Sequence, residues 1–282
     1  MKNFISKLFS FIPDKQYLTI LYFLKLKKRI NWKNPKTFNE KLQCLKLYDR
    51  KPEYTVMVDK YLAKKYVADK IGDEYIIPTL GVWDSAEEID FDSLPEQFVL
   101  KCNHNSGGLV ICKDKSKLNI AETRKKLSMA LKEDYYLNGR EWPYKNVPRK
   151  IIAEKFMVDE SGGLTDYKFF CFKKRVDCVM VCIDRHLNDT KFYFFDEHWN
   201  LKRINKRGID APSNFTLPKP NCMDEMFRIA RVLSENLPFV RCDLYECSGH
   251  IYFGELTFFP DCGYDTNLLP QTDKYFGDLI EF

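Results

Sequence analysis

Two acidic residues stand inside apolar, strand-like segments near the end of the chain. Asp243 lies in Val240–Tyr245 and Glu255 lies in Ile251–Leu256, with Ser248-Gly249 between the segments. Carboxylates in such surroundings are costly unless they pair with a cation or bind a metal. The two segments have the pattern of a β-hairpin. Because converging carboxylates with room for phosphates suit Mg²⁺, the hairpin predicts a magnesium site.

The register of this hairpin decides whether the two carboxylates converge. A three-residue loop at 248–250 would set Asp243 opposite Glu255, and it would set Arg241 opposite Thr257. A two-residue loop would turn the carboxylates to opposite faces and rule out a shared metal. A cross-strand salt bridge between Arg241 and Glu255 explains the same residue types, so that alternative stays open.

A second candidate site surrounds Lys101, which comes near the end of a predicted strand at 96–102. The loop that follows contains Ser106-Gly107-Gly108, and a second strand is predicted at 109–112. An ammonium group beside exposed backbone N–H groups suits phosphate. No Walker sequence occurs in the chain. A hairpin with a solvated lysine explains this pattern equally well.

A third candidate site is the strand-like segment Ile151–Met157, which ends in Glu154-Lys155-Phe156 before a Gly-rich turn. Such a strand can present backbone groups and an aromatic wall to an adenine ring. Asp166, which follows the turn, could bind ribose hydroxyls. An edge strand with an exposed ion pair is the simpler interpretation of these residues taken alone.

These side chains need elements to position them. Residues 1–55, 56–71, 119–137 and 223–235 have the apolar spacing of helices, and Thr37–Glu40 has the pattern of a capping box. Strands are predicted at 96–102, 109–112, 151–157, 167–172, 178–183, 191–195, 240–245 and 251–256. The sequence therefore predicts an α+β fold with mostly antiparallel strands in its second half.

The composition narrows the classes of protein to consider. The chain has 282 residues, of which 45% are hydrophobic and 30% charged, which is typical of a globular domain. Its net charge of +5 is too small to indicate a nucleic-acid binder. The 10 cysteines form no Cys-x-x-Cys pair and mostly lie in apolar segments, which predicts free thiols in a reducing cytosol.

The N-terminal sequence MKNFISKLFSFI does not have the pattern of a signal peptide, since Lys7 interrupts it and Pro13 ends it. No apolar run reaches the length of a membrane span. The basic, amphipathic start could rest on a membrane surface or pack onto the protein. We expect a cytoplasmic protein, with contact at the inner face of the membrane as an option.

Taken in order, the motifs resemble the ATP-grasp superfamily. Longer sequence segments around these motifs are similar to the TupA-like ATP-grasp subgroup of bacterial surface-polysaccharide gene clusters. The residues that carry the resemblance are Asn34–Lys41, Asp59-Lys60, Leu94–His104, Arg140–Trp142, Glu154–Phe156, Asp166–Phe172, Arg241-x-Asp243, Glu255-x-Thr257, Pro260 and Gly263.

The resemblance implies an ATP-grasp fold, in which a helical N-terminal region is followed by two α+β lobes whose mainly antiparallel sheets clasp ATP. We expect the helical region at 1–55, the central and lid lobe at 56–153, and the C-terminal lobe with the metal site at 154–282.

The resemblance also implies roles for individual residues. ATP would be held by Lys60, Lys101, Ser106, Gly107, Gly108, Glu154, Lys155, Phe156 and Asp166. Mg²⁺ would be held by Asp243, Glu255 and Thr257. Catalytic contacts to phosphate or substrate would come from Arg241, Arg185 and Lys168.

Thr257 departs from the superfamily pattern, in which the third metal ligand is commonly Asn. A hydroxyl group has less acceptor capacity than an amide carbonyl. We therefore expect one firm magnesium position and leave a second one open.

The function that the resemblance implies is ATP- and Mg²⁺-dependent ligation of a carboxylate to an amine through an acyl phosphate. The substrates would include a nucleotide-linked or glycan sugar of a surface polysaccharide, and nucleic acid would not be a partner. Arg140, Trp142, Tyr144 and Arg185 are candidates for the sugar pocket. The alternatives are a glycosyltransferase using Asp90-Phe91-Asp92, an ATP-dependent sugar kinase, and a catalytically silent scaffold of a polysaccharide complex.

Overall fold

The structure is a computed structural model that describes residues 10–158, 164–173, 175–183 and 190–282. The helices within these ranges are α1 (Asp14–Leu26), α2 (Phe38–Tyr48), α3 (Glu53–Val58), α4 (Leu62–Ile71), α5 (Ile120–Leu131), α6 (Tyr136–Gly139), α7 (Lys206–Asp210), α8 (Met223–Leu233) and α9 (Pro270–Leu279). The strands are β1 (Thr79–Trp83), β2 (Phe98–Cys102), β3 (Val110–Cys112), β4 (Ile151–Lys155), β5 (Thr165–Phe172), β6 (Arg175–Ile183), β7 (Lys191–Phe195), β8 (Leu201–Lys202), β9 (Val240–Cys247) and β10 (His250–Thr257).

Helix α2 begins as its sequence predicts. The Thr37 hydroxyl accepts a hydrogen bond from the Glu40 backbone N–H, and the Glu40 carboxylate accepts one from the Thr37 N–H. This reciprocal cap satisfies two N–H groups that a helix start leaves open.

The helix predicted at 56–71 is interrupted at residues 59–61, next to the candidate site. The Asp59 carboxylate accepts hydrogen bonds from the backbone N–H groups of Tyr61 and Leu62 at 2.8 and 3.2 Å. Because Asp59 caps a new helix in this way, α3 ends before it and α4 begins after it. Lys60 therefore stands in the break between two helices rather than on a helix face.

The first sheet has the strand order β1-β4-β2-β3, with antiparallel pairs throughout its described part. Phe98 and Leu100 face a core that is closed by Leu127 of α5. The alternate residues Val99 and Lys101 face the opposite side, as the period of a strand requires. One face of this sheet is thus free to line a cavity.

The second sheet has the order β10-β9-β5-β6-β7-β8, and the strand pairs in its described part are also antiparallel. Helix α8 covers one face, where Phe227 meets Phe169 edge-on with ring centroids 5.0 Å apart. Helices α2 and α9 cover part of the other face, where Phe38 and Phe276 pack around Phe170. The same face of β5 carries charged residues farther toward its N-terminal end, so the aromatic core stops where the site begins.

The β9–β10 hairpin has the predicted pairing of Asp243 with Glu255, but a bulge that was not predicted produces it. Its loop has two residues, Ser248 and Gly249, with φ angles of 52° and 82°, as a type I′ turn requires. Such a loop would separate the two carboxylates, but a bulge at Gly254 shifts the register by one residue. Asp243 therefore lies opposite Glu255, as the magnesium site requires, and the expectation that a two-residue loop would turn the carboxylates to opposite faces is wrong.

Other predicted boundaries need smaller corrections. The helix expected at 119–137 ends at Leu131, and a separate short helix, α6, follows. Strands β1 and β8 were not predicted. The division expected after residue 153 falls within β4, and the three-unit division stays a prediction. None of the helices within the described ranges has the length and apolarity needed to cross a bilayer.

Candidate active site

A cavity of about 320 Å³ lies between the two sheets. Val99 and Phe156 line it from the first sheet, and Tyr245 and Gly254 line it from the second. Lys113 also lines the cavity, and its ammonium lies 5.9 Å from the centre of the Phe156 ring. Apolar and aromatic walls with a few polar groups suit a flat heterocycle. Sequence inspection placed Lys155 and Phe156 here but missed Lys113 and Tyr245.

Glu154 forms one end of this cavity and is held by two lysines. Lys64 Nζ lies 2.7 Å from Glu154 Oε1, and Lys101 Nζ lies 2.6 Å from Glu154 Oε2. Burial alone would raise the pKa of this carboxyl, but the two ammonium groups outweigh burial and lower it. Lys64 was not predicted, because a lysine on a helix gives no signal of its own.

Lys60 projects from the break between α3 and α4 toward the loop that follows β2. Its Nζ donates a hydrogen bond of 2.6 Å to the Asn105 carbonyl, and its backbone N–H donates one of 3.1 Å to the Asn103 carbonyl. Burial lowers the pKa of Lys60, and the negative charge of Glu255 opposes that shift. The interrupted helix thus places a cation between the loop and the carboxylates.

The loop 103–108 contains the predicted Ser106, Gly107 and Gly108. Gly108 has a φ of 65°, a backbone conformation that favours glycine. The Asn105 amide group donates a hydrogen bond of 3.0 Å to the Ala130 carbonyl, which ties the loop to α5. A loop fastened at its base and rich in small residues at its tip can close over a phosphate chain.

Two carboxylates face one lysine across β5 and β9. Lys168 Nζ lies 2.7 Å from Asp166 Oδ2 and also forms a very short contact with Asp243 Oδ2. Both carboxylates are 1% exposed. Burial raises the pKa of Asp243, and the charges of Arg241 and Lys168 act against that rise.

Arg241 joins the two strands of the hairpin. Its guanidinium donates two hydrogen bonds of 2.7 Å to Asp243, one of 3.1 Å to the Thr257 hydroxyl and one of 3.4 Å to Glu255. The Thr257 hydroxyl in turn donates to Glu255 Oε1 at 3.1 Å. The cross-strand pair of Arg241 with Glu255 therefore exists, but the stronger, bidentate contact is with Asp243.

Glu255 differs from the other acids because its side chain is 38% exposed. Its enclosed position disfavours ionisation, yet the charges of Lys60, Arg241 and Lys168 outweigh that effect and hold its pKa at about 2. Among the described residues, Glu255 Oε2 has no hydrogen-bond partner. An ionised carboxylate with a free oxygen opposite a second carboxylate fits Mg²⁺, which takes one or two protein carboxylates together with phosphate and water.

Within the part of the chain that the structure describes, no three His, Cys, Asp or Glu side chains gather into a metal-binding group. The carboxylate pair therefore fits only a metal that ligand oxygens help to bind. Thr257, the predicted third ligand, already bonds to Arg241 and Glu255.

Some predicted residues lie elsewhere. Arg185 lies outside the described residues. Arg140 is 1% exposed and packs against the Tyr17 ring at 4.3 Å, so it supports the core instead of lining a sugar pocket. Asp90 accepts hydrogen bonds from the backbone N–H groups of Asp92 and Ser93, which makes the Asp-x-Asp sequence a turn.

The profile of the TupA-like ATP-grasp family matches residues 40–281. The chain belongs to this family. The predictions of the ATP-grasp superfamily and of its fold are thereby confirmed. A comparison with curated proteins finds no match.

Solved structures of similar fold are distant in sequence. D-alanine–D-alanine ligase from Helicobacter pylori is 15% identical, with a TM-score of 0.46 over 87% of this chain and 69% of that one. The Bacillus anthracis D-alanine–D-alanine ligase in complex with ATP is 16% identical, with a TM-score of 0.45 over 80% and 63%. The ATP-grasp ligase PsnB with its minimal precursor is 10% identical, with a TM-score of 0.42 over 81% and 62%. The chain spans less than two thirds of the last two proteins.

Proposed function

We propose that this ATP-grasp protein is a carboxylate–amine ligase that forms an amide at the expense of ATP. The observation that carries the proposal is the position of the cavity between the sheets, whose one end meets Lys101 and Glu154. The partly exposed carboxylate of Glu255 lies within the electric field of Lys60, Arg241 and Lys168. A cavity of this size could hold a nucleotide, with its phosphates at the end near Lys101 and Glu154 and its base at the opposite end.

The two ends of the cavity would bind different parts of ATP. Phe156 and Ile111 would pack against the base. Lys60 and Lys101 would bind phosphate oxygens, and the loop 103–108 would cover them and exclude water. Asp166, next to Lys168, would bind ribose or orient that lysine toward phosphate.

Asp243 and Glu255 would hold Mg²⁺, and the ion would neutralise negative charge on the phosphates when bound. Arg241 already holds both oxygens of Asp243, so it is also placed to stabilise charge beside the metal site. Thr257 would keep Arg241 and Glu255 in register through its hydroxyl.

The reaction requires no nucleophile from the enzyme. A substrate carboxylate oxygen attacks the γ-phosphorus of ATP, and the bond from that phosphorus to ADP breaks. The nitrogen of a neutral amine then attacks the carbonyl carbon of the acyl phosphate, phosphate leaves with its bonding electrons, and the surplus nitrogen proton passes to water. Cations and backbone N–H groups lower the barrier chiefly by positioning and charge stabilisation.

We also propose that one substrate carries a sugar destined for a bacterial surface polysaccharide. Support for this substrate class comes from the similarity of the motifs to the TupA-like subgroup. ATP turnover with pools of amino acids and nucleotide-linked sugar acids tests it, with ADP release followed by mass spectrometry of the products. A new amide supports ligation, a phosphorylated sugar would indicate a kinase, and UDP release without ATP use would indicate a glycosyltransferase.

Glu255→Gln tests the metal assignment because Glu255 is partly exposed and its loss should leave the fold intact. We expect ADP release to fall at least about 100-fold, or about 2.7 kcal/mol, with the Mg²⁺ dependence of AMP-PNP binding weakened. Asp243→Asn should abolish turnover as well. Asp84→Asn, at a side chain that is 73% exposed, is the matched control, and equal activity of E255Q and D84N would refute the assignment.

The localisation that we propose is cytoplasmic with α1 against an anionic membrane surface. Ile20, Phe23 and Leu24 of α1 are each more than half exposed, and Lys27 and Lys28 follow the helix. Apolar side chains beside basic ones suit an anionic bilayer. Cosedimentation with phosphatidylserine vesicles tests this proposal, and equal recovery of wild type and of a Phe23→Ser variant would contradict it.

A further inference from the structure

A second cavity, of about 660 Å³, lies apart from the one between the sheets. Its walls come from α1, from the region of α6 and from the segment 261–267 that follows β10. Among the described residues, its lining combines aromatic rings with oxygen-bearing side chains and includes one lysine, Lys25. The residues that matter for recognition are Tyr17, Tyr135, Tyr264, Asp261, Asp265 and Asn138.

The wall of this cavity is a strained turn that buried side chains hold in place. Asp261 and Cys262 have φ angles of 49° and 53°. Gln43 donates to the Cys262 and Gly263 carbonyls at 3.2 and 2.8 Å, and Lys46 donates to the Cys262 carbonyl at 2.7 Å. Lys46 and Gln43 are both 0% exposed. Strained backbone that is so firmly held is characteristic of functional sites.

One buried polar group on the cavity wall lacks a partner among the described residues. The Tyr264 hydroxyl is buried, on a residue that is 8% exposed, and forms no hydrogen bond. Buried polar groups are normally satisfied, so this hydroxyl indicates a polar ligand. Asp265 is partly exposed, and its Oδ1 accepts from the backbone N–H groups of Asn267 and Leu268 at 2.7 and 3.4 Å.

The second cavity lies near the carboxylate pair. Thr257 and Asp261 are four residues apart, and a fully extended chain of that length reaches no more than about 14 Å. Burial raises the pKa of Tyr135 on the cavity wall, the charge of Glu255 adds to that rise, and nearby Ser106 of the loop 103–108 opposes it. A molecule in this cavity could therefore reach the end of a phosphate chain.

The charges of the two cavities differ in a way that assigns them to different substrates. Lys60, Lys101, Lys168 and Arg241 surround the phosphate end and favour anions. The second cavity has two carboxylates, Asp261 and Asp265, beside one lysine, Lys25, in its described lining, and the carboxylates attract a cation. The Tyr17 and Tyr264 rings already face the protein's own cations, Arg140 and Lys46.

We propose that the second cavity binds the amine partner of the ligation, as a hydroxyl-rich molecule that bears an ammonium group. This assignment rests on the proposed ligase function and adds the location and chemical class of the acceptor. Asp261 and Asp265 bind the ammonium group, and the Tyr264 hydroxyl and Asn138 bind substrate hydroxyls. The amine loses its proton to water before it attacks.

Three probes of one size and different charge test the proposal: glucosamine, glucose and glucuronate. Each is titrated by calorimetry and saturation-transfer NMR into the full chain saturated with Mg²⁺ and AMP-PNP. We expect glucosamine to bind at least about tenfold more tightly than glucose and glucuronate to bind most weakly. Equal binding of glucose or glucuronate, or no binding of glucosamine, overturns the proposal.

Two conservative variants locate the binding. Asp261→Asn suits the left-handed backbone, which Asn tolerates well, and Asp265→Asn keeps an oxygen for the turn. Each should weaken glucosamine binding at least about fivefold, while Asp84→Asn should not change it. Unchanged glucosamine binding in both Asn variants overturns the proposal.

Tyr264→Phe separates ligand contact from packing. Removal of an unsatisfied buried hydroxyl should leave the melting temperature equal or higher, yet it should weaken glucosamine binding. AMP-PNP binding provides the check on the proposed function itself. If AMP-PNP binds with Mg²⁺ and glucosamine does not, only the acceptor site is refuted, whereas absence of AMP-PNP binding refutes the nucleotide site.

Discussion

At the residue scale, the candidate site depends on which side chains already have partners. Glu154 was predicted to line the adenine pocket, and it does reach the cavity, but both of its oxygens are occupied by Lys64 and Lys101. Asp243 is occupied by Arg241 and Lys168. Glu255 alone of these acids keeps a free oxygen among the described residues. The acidic site residues could be predicted from the sequence because they stand in apolar strands. Which cations pair with each carboxylate depends largely on residues that are distant in sequence.

His104 should make the fold sensitive to acid. Burial lowers its pKa to about 4, although the Glu133 carbonyl contact favours the charged form. The pKa in the unfolded chain is about 6.5, so the unfolded chain takes up a proton between these values and the folded protein does not. Stability is therefore fully present above about pH 6.5 and is lost as the pH falls toward 4.

His104→Gln tests this effect because glutamine can still donate to the Glu133 carbonyl but does not titrate. Urea unfolding at pH 7.5 and pH 4.5 should show wild type losing about 2 to 3 kcal/mol more than the variant. Equal losses in the two proteins would contradict the assignment to His104. Because this residue belongs to the loop 103–108, the result also reports how firmly that loop is packed.

At the scale of elements, two local irregularities build the site. The break at Asp59 gives Lys60 its direction, and the bulge at Gly254 returns Glu255 to the face of Asp243. Neither feature follows from apolar periodicity, which continues through 56–71 and through both strands of the hairpin. The sheets themselves and the capping box at Thr37 were predictable, since they depend on local pattern and adjacent residues.

Gly254→Ala should disturb the nucleotide cavity directly. A Cβ atom at this position would lie 2.9 Å from the Tyr245 ring and 3.0 Å from the Asp243 carbonyl oxygen. We expect a loss of about 1 to 3 kcal/mol in stability and weaker AMP-PNP binding, measured by urea unfolding and by calorimetry.

Gly249→Ala is the matched control in the same hairpin. Its Cβ would meet no atom within 4 Å, but its φ of 82° makes alanine strained. It should lower stability by about 1 kcal/mol and leave AMP-PNP affinity unchanged. If both variants bind AMP-PNP as wild type does, the bulge is unimportant for the nucleotide site.

At the scale of the whole molecule, two separate cores support the two sheets. The smaller core lies behind the first sheet around Phe98 and Leu100, and the larger one surrounds the second sheet and its helices. The cavity lies where the sheets face each other, so its ligand would contact both units. The order of motifs along the chain predicted this arrangement, although it placed the division inside β4.

Amide hydrogen exchange tests whether a bound nucleotide contacts both sheets. Addition of Mg²⁺ and AMP-PNP should slow amide exchange in β4 and in the β9–β10 hairpin together, because a ligand that binds only the native state suppresses opening. Helix α9, which is remote from the cavity lining, serves as the internal reference. Protection confined to one sheet would show that the nucleotide does not bridge them.

The charges around Glu255 are nearly balanced within the described residues. The cations are Lys60, Lys64, Lys101, Lys168 and Arg241, and the carboxylates are Glu154, Asp166, Asp243 and Glu255. An uncomplexed nucleotide would bring its whole negative charge against these carboxylates, whereas a metal-complexed one brings less. The protein should therefore discriminate between the metal-complexed and the metal-free nucleotide. Excess metal-free nucleotide should compete poorly for the site, and the concentration of divalent ions should set the rate of turnover.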